Sequence, residues 1–143
     1  MTAAVTLAAM GNGPAFSAYQ TTASGLGAGV WTKVAFTGET YDTNSCYDAP
    51  NSRFTPTVAG YYQFNSVVMT STNVAQVLTV WKNATPANIR GVYGVSNGGS
   101  TVSGIIYMNG TTDYAEVYLY QSSAILTDGT ANSWFQAALV RGA

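Results

Sequence analysis

Apolar and polar side chains alternate along this chain in short runs that are separated by Gly-, Asn-, Ser- and Thr-rich turns. In Tyr114–Gln121, the clearest run, apolar residues fall at every second position. A period of two predicts a β-strand with one buried face. The predicted strands are Phe16–Tyr19, Val30–Phe36, Tyr61–Met69, Gln76–Lys82, Asn88–Val95, Val102–Met108, Tyr114–Gln121 and Trp134–Arg141. No helix is predicted, and strands spaced by about ten residues favour one β-sandwich or jelly roll.

Turn-forming residues lie between these strands. Pro14 marks the start of the first strand, because proline lacks the N–H that a neighbouring strand needs. The pair Asn109-Gly110 predicts a β-hairpin between the strands on either side of it. The polar stretch from Thr37 to Arg53 is predicted to be a long loop.

The composition indicates what kind of surface the domain has. Charged residues make up only 8% of the chain, against about a quarter in a typical domain. The net charge of −1 opposes self-association weakly, and uncharged polar groups cost less to desolvate than ions do. The surface is therefore suited to being covered by neighbours. The five basic residues are scattered singly, so we expect no binding to nucleic acid.

Chemistry that needs histidine or several cysteines is excluded. The chain has no His, which rules out Ser–His–Asp and Cys–His catalysis. Cys46 is the only cysteine, so it forms no intrachain disulfide and is expected to be a small buried side chain. No run is apolar and long enough for a membrane span, and we expect no membrane insertion.

The carboxylates give no better case for an enzyme. The pairs Glu39/Asp42 and Asp113/Glu116 have the residue types of a glycosidase, but they are interpreted as solvated turn residues. The acidic residues are too scattered to predict a calcium site. We therefore predict no catalytic residues, no metal and no cofactor.

One stretch resembles a known family. Phe54-Thr55-Pro56, followed by Ala59-Gly60-Tyr61-Tyr62-Gln63-Phe64, is similar to the signature of the complement 1q globular-head family, which lies within the tumour-necrosis-factor-like jelly-roll superfamily. Flanking similarities are Pro14–Ala18, Trp31–Phe36, Tyr41–Asp42, Trp81–Asn83, Asp113–Val117 and Phe135–Leu139. The sequence departs from the family where Thr111 and Thr112 separate Gly110 from Asp113, and where Ala137 replaces a usual glycine.

The resemblance implies an all-β jelly-roll sandwich of about 8–10 antiparallel strands over residues 14–143, preceded by an N-terminal arm at residues 1–13. It also implies a homotrimer around a three-fold axis. Within the signature, Gly60 is expected to adopt a backbone angle that other residues resist. Tyr62 and Phe64 fall on one face of the strand and Tyr61 on the other. A strand with aromatic residues on both faces has to be covered by the core on one side and by another surface, here a neighbouring subunit, on the other. Tyr61, Tyr62 and Phe64 are therefore the predicted trimer-interface residues.

Two further groups of residues are candidates for binding. Tyrosine offers a flat apolar ring with a polar edge, as saccharide sites require. The candidate ligand contacts are Tyr41, Asp42, Tyr47, Tyr93 and Tyr120. The candidate contacts of the arm with a capsid or other partner are Thr2, Val5, Leu7 and Met10.

The preferred functional hypothesis is a structural protein on the surface of a bacteriophage virion. It would be a homotrimer that decorates the capsid, bound to the major capsid protein or another virion protein, with possible adhesive binding to a cell-surface glycan. The alternative is the receptor-binding tip of a phage tail fibre that recognises cell-surface saccharide. A secreted recognition protein is less favoured, since the start of the sequence lacks the basic region of a signal peptide.

Overall fold

The computed structural model describes residues 12–90, 98–129 and 131–143, and over these residues it consists of β-strands, turns and loops. The strands are β1 (Ala15–Tyr19), β2 (Gly25–Leu26), β3 (Thr32–Lys33), β4 (Gly38–Asp42), β5 (Tyr47–Asp48), β6 (Arg53–Phe54), β7 (Gly60–Met69), β8 (Gln76–Lys82), β9 (Thr85–Arg90), β10 (Gly99–Met108), β11 (Ala115–Gln121), β12 (Ile125–Leu126) and β13 (Trp134–Gly142). No helix in the described segments is long and apolar enough to cross a membrane.

The strands form a two-layered sandwich. One sheet has five strands in the order β10-β7-β13-β1-β4. The other has the order β5-β6-β11-β8-β9, with β3 paired to β11 beside that path, and β2 pairs with β12 in a small separate ribbon. The ladders between these strands are antiparallel. The predicted all-β jelly-roll sandwich is confirmed.

The stretch predicted as a long loop contains more strand than expected. β4 lies wholly within Thr37–Arg53 and pairs with β1 at the edge of the five-stranded sheet. Three of its five residues are exposed and the other two half-buried. Because neither face of β4 is fully buried, its sequence lacks the alternation of apolar and polar residues by which a strand is predicted. In Val30–Phe36 only the two residues of β3 form a ladder, with β11.

The hairpin predicted at Asn109-Gly110 is wrong. β10 pairs with β7 in one sheet, whereas β11 pairs with β8 in the other, so the turn connects the two layers. Asn109 Oδ1 accepts hydrogen bonds of 2.9–3.0 Å from the backbone N–H groups of residues 111–113. These bonds close the chain locally without pairing the strands.

Replacing Gly110 tests whether this turn requires a residue without a side chain. Its φ is +72°, and an added Cβ would collide with the backbone of Ala59. Gly29 has a similar φ of +70° but nothing within 4 Å of an added Cβ. Gly29→Ala is therefore expected to cost about 1 kcal/mol for backbone strain alone. Gly110→Ala should cost about 2–4 kcal/mol, because overlap adds to the strain.

Urea unfolding of the two variants beside the wild type measures this difference. An equal loss of unfolding free energy in Gly29→Ala and Gly110→Ala would show that the contact with Ala59 is unimportant.

The core is a cluster of aromatic rings between the two sheets. Phe135 lies at its centre, with ring centroids 4.9 Å from Phe16 and 6.1 Å from Phe64. Phe16 also stacks on Phe54 at 4.6 Å. Inner-facing residues of the five-stranded sheet are buried at alternate positions, and Ala115, Val117 and Leu119 of β11 are buried at alternate positions in the other sheet. Cys46 is buried in the same core.

Gly60 is required for a different reason than the sequence suggested. Its φ lies outside the left-handed region, but a Cβ would collide with the carbonyl oxygen of Arg141 and with Leu139 Cδ1. The expectation of an unusual backbone angle is therefore wrong. Glycine instead allows the start of β7 to approach the end of β13, where the two strands pair.

Candidate functional site

The outer surface of the five-stranded sheet is left uncovered by the described part of the chain. We call the outward-facing side chains of β1, β4, β7, β10 and β13 the open face. Cross-strand partners place these side chains in rows. One row is Tyr41, Ser17, Gln136, Asn65 and Ser103, and the next is Ala15, Ala138, Gln63 and Ile105. Each row spans at least four strands, so the residues form one surface.

The open face concentrates exposed apolar side chains. Among the described residues, seven large hydrophobic side chains are exposed, and five of them lie here. These five are Tyr41, Tyr61, Ile105, Tyr107 and Val140. Ile105 is the most exposed at 56%. Tyr61 and Tyr107 are direct cross-strand partners with ring centroids 5.4 Å apart. Exposed apolar side chains concentrated on one surface make that surface a candidate interaction site.

A small polar group lies beside these rings. Ser103 Oγ donates to Asn65 Oδ1 at 2.8 Å, and Gln63 Nε2 donates to Ser103 Oγ at 3.0 Å. Gln63 Nε2 is also 3.2 Å from Asn65 Oδ1. Because these groups bond to one another, they lose fewer water contacts when a neighbour covers the face.

The open face carries almost no charge. The outward-facing positions of β1, β7, β10 and β13 include one charged side chain, Arg141, at the end of β13. In β4, Glu39 and Asp42 pair with Ala18 and Phe16, whose side chains face the core. The depression between Tyr41, Gln63 and Gln136 holds about 130 Å³, which is small for a ligand pocket. A broad, uncharged and shallow surface suits a protein neighbour better than a small molecule.

The few charges are instead paired on and near the six-stranded sheet. Glu116 Oε1 is 2.9 Å from Arg53 Nη2 and 3.3 Å from Lys33 Nζ. Asp113 Oδ2 is 2.6 Å from Lys82 Nζ. Both carboxylates are buried, so their interpretation as solvated turn residues is wrong. Their cationic partners make burial of the carboxylates tolerable.

Asp113 holds the loop between β10 and β11. Its carboxylate accepts hydrogen bonds from Asn83 Nδ2 at 2.7 Å and from the backbone N–H of Asn109 at 2.9 Å. Burial alone raises the pKa of Asp113, but the bonds from Lys82, Asn83 and Asn109 outweigh it. They hold the pKa of this carboxyl below its ordinary value.

This shift predicts an acid-sensitive fold. A depressed pKa stabilises the folded chain above the unfolded pKa of about 3.9, and the stabilisation is lost as the pH falls through the lower folded value. Asp113→Asn is therefore expected to lower the unfolding free energy at pH 7 and to flatten its fall below about pH 4. Urea titrations at several pH values measure both effects. Glu39→Gln, at an exposed position, is the control. A wild-type pH dependence retained by Asp113→Asn would contradict this assignment.

The structure separates the predicted interface residues. Tyr61 is exposed on the open face. Tyr62 and Phe64 are fully buried within the single chain, and Tyr62 donates its hydroxyl to Val58 O at 2.7 Å. The prediction of an interface role for Tyr62 and Phe64 is therefore wrong, because their side chains fill the core. Ile105 and Tyr107 were not predicted from the sequence, although β10 also has apolar residues on both faces.

The predicted ligand contacts do not form one site. Tyr41 is exposed on the open face, whereas Tyr120 is exposed on the opposite side of the sandwich. Asp42 accepts the backbone N–H groups of Cys46 and Tyr47 at 3.0 and 2.8 Å, and so shapes a turn.

Tyr47 is the ligand-contact prediction that the structure contradicts. Its ring is buried, its hydroxyl donates to Phe36 O at 2.8 Å, and burial raises the pKa of its phenol. Tyr93 lies outside the described residues, as do Thr2, Val5, Leu7 and Met10. Within the described part of the chain, no cluster of His, Cys, Asp and Glu has the composition of a metal site.

Comparisons with known proteins identify the fold. No protein-family model matches the sequence, and no curated protein is significantly similar. Solved structures do match. The globular domain of zebrafish complement 1qA protein has a TM-score of 0.61 and 18% identity, covering 91% of this chain and 99% of that one. Murine APRIL at pH 5.0 has a TM-score of 0.69 and 10% identity, covering 90% and 99%.

A third match is the PRD1 vertex protein P5, with a TM-score of 0.67 and 16% identity over 90% of this chain and 97% of that one. At these identities the likeness shows the fold. The chain is a jelly roll of the complement 1q and tumour-necrosis-factor type.

Proposed function

We propose that this chain is a non-enzymatic structural protein of a bacteriophage virion, a homotrimer that decorates the capsid surface. The observation that carries the proposal is the open face. It is broad, nearly uncharged and apolar at Tyr61, Ile105 and Tyr107. A surface of this kind is stabilised when copies of the same chain cover it.

The homotrimer is supported by where the open face lies. The resemblance of this chain to the complement 1q family implies three-fold assembly. Tyr61 lies on the side of the sandwich that the chain itself leaves uncovered. The net charge of −1 adds little repulsion between copies. Three open faces that meet around an axis would bury the rings of Tyr61 and Tyr107.

The virion assignment is supported by the fold likeness to a phage vertex protein. It also agrees with a surface of few charges, which suits contact with a major capsid protein or another virion protein. In this proposal residues 1–13 are the arm that contacts that partner, through Thr2, Val5, Leu7 and Met10. The protein then lies on the virion surface.

The non-enzymatic part of the proposal is supported by the chemistry of the chain. The sequence has no His, and the buried carboxylates of Asp113 and Glu116 are engaged by cations. We propose that these groups stabilise the fold rather than act as an acid–base pair.

A second candidate function is the receptor-binding tip of a phage tail fibre, with adhesive binding to cell-surface saccharide. The observation that favours it is the group of Trp and Tyr rings on the outer side of the six-stranded sheet. Decoration and adhesion are compatible in one trimer, since the two surfaces lie on opposite sides of the sandwich.

The location of the protein distinguishes these functions. Cryo-electron microscopy of the phage that encodes this chain is expected to place trimers on the capsid shell. Capsids that lack the protein should release their DNA at a lower temperature, as measured by dye accessibility during heating. Density at the tip of a tail fibre, with heat release unchanged, would reject decoration and support the second candidate.

A further inference from the structure

The outer side of the six-stranded sheet carries a group of rings that we call the aromatic cluster, consisting of Trp31, Trp81, Tyr118 and Tyr120. Trp81 stacks on Tyr118, with centroids 4.1 Å apart and an interplanar angle of 21°. Trp31 contacts Trp81 at 5.9 Å and Tyr120 at 5.4 Å. Three of the rings are half-buried and Tyr120 is 36% exposed. The rings hold one another in place, so a ligand would find them already ordered.

Charged hydrogen-bonding groups flank the aromatic cluster on the same side of the sheet. Glu116 is the cross-strand partner of Trp81, and Lys33 is the partner of Tyr118. Arg53 binds Glu116 and lies 3.9 Å above the ring of Tyr114. The side chains of Lys33 and Arg53 are 36% and 39% exposed, so their remaining donors reach solvent.

The local charges cancel. Lys33 and Arg53 contribute two positive charges, and Glu116 and the nearby Asp48 contribute two negative ones. The charges of both cations help to lower the pKa of Asp48, after the larger effect of its hydrogen bonds from Asn51. A site with balanced charge does not favour an anionic ligand over a neutral one. It does offer both donors and acceptors beside flat apolar surfaces.

We propose that the aromatic cluster is a binding site for a neutral saccharide. The apolar C–H face of a pyranose ring lies against the exposed part of the Tyr120 ring and the half-buried Trp31 ring beside it. Its hydroxyl groups bond to Lys33, which is two residues from Trp31 and is the cross-strand partner of Tyr118. The inference deepens the adhesive part of the proposed function and rests on it, but the site is built from one chain and needs no trimer.

The chemistry of the surface favours a saccharide over a protein partner. Two large apolar side chains are exposed on this side of the sandwich, Tyr120 and Val30 beside Trp31, and charged groups next to them interrupt any aliphatic patch. The site lies on the opposite side of the sandwich from the open face, so trimer formation would leave it accessible. Three copies in one trimer would strengthen binding to a repeating polysaccharide through multivalency.

Binding to immobilised and soluble glycans tests this proposal. The full chain is applied to an array of neutral hexose oligosaccharides and bacterial surface polysaccharides, and a retained glycan is titrated as a soluble oligosaccharide by calorimetry. Trp31→Ala is expected to weaken the single-site affinity about tenfold or more, because a stacked aromatic side chain is typical of a binding hot spot. Tyr41→Ala removes a ring that is 47% exposed on the opposite side of the sandwich and should leave this affinity unchanged.

The outcomes separate this site from the trimer. Retention of no glycan by the wild-type chain, or equal affinity in Trp31→Ala, overturns the proposal. Circular dichroism and light scattering of Trp31→Ala should match the wild type, which shows that the variant is folded and assembled. A saccharide that binds with unchanged single-site affinity to a monomeric variant supports the site even if the trimer proposal fails.

Discussion

Replacing Ile105 by Asp is expected to convert the proposed homotrimer into a folded monomer. Ile105 is 56% exposed in the single chain, so the substitution costs the isolated fold little. In the proposed trimer the same position would lie under a neighbour, and three carboxylates would be buried there. An unpaired charge in an interface costs several kcal/mol, so we expect the association constant to fall by at least about 100-fold.

Light scattering and sedimentation over a range of protein concentrations measure this change. Val30→Asp is the matched control, since Val30 is 53% exposed but lies next to Trp31, away from the open face. That variant should remain trimeric. If the Ile105→Asp protein assembles as the wild type does, the open face is not the subunit interface.

Phe135→Ala is expected to produce the largest loss of stability of any single substitution in the core. The Phe135 ring lies within 6.5 Å, centroid to centroid, of four other buried rings, and its side chain is fully enclosed. Removing it leaves a cavity at the meeting point of the two sheets. Such truncations cost about 3–5 kcal/mol, through lost transfer free energy and the cavity that remains.

Chemical unfolding of Phe135→Ala is best measured in the Ile105→Asp background, because the stability of a trimer depends on protein concentration. Phe135→Leu is the control and should cost about half as much or less, since Leu fills part of the space. A loss below about 1 kcal/mol for Phe135→Ala would mean that the aromatic core is not the main source of stability.

The fold was largely predictable from local pattern and one motif. Long strands such as Tyr61–Met69 combine β-branched and aromatic residues with a period of two, and the structure has them with nearly the same bounds. The stretch from Phe54 to Phe64 distinguished a jelly roll from other sandwiches. The rings of Phe54, Tyr62 and Phe64 in this motif pack between the two sheets, which explains why its residue types are so specific.

The errors arose where tertiary structure overrides local signals. β4 has no alternation because it is an edge strand with both faces largely exposed. Asn109-Gly110 has the composition of a hairpin turn, but the choice of partner for each flanking strand is made by distant residues in the two sheets. The burial of Asp113 and Glu116 depends on Lys82, Lys33 and Arg53, which are far away in the sequence.

The candidate interface was partly predictable. Aromatic residues on both faces of one strand indicated that the Tyr61 ring is covered by a surface other than the core of its own chain. Its exposure in the single chain agrees with that expectation. The same signal occurs in β10, where Ile105 and Tyr107 face outward. Which rows these residues share with Tyr61 depends on strand order and register, and neither can be obtained from one strand alone.

The mass of the full-length protein in solution is the most direct test of the central claim, that the open face joins copies of this chain into a homotrimer. Native mass spectrometry and light scattering at micromolar concentration are expected to give three times the 14.9 kDa of one chain. A monomeric mass under these conditions, for a chain shown to be folded by circular dichroism, would contradict it.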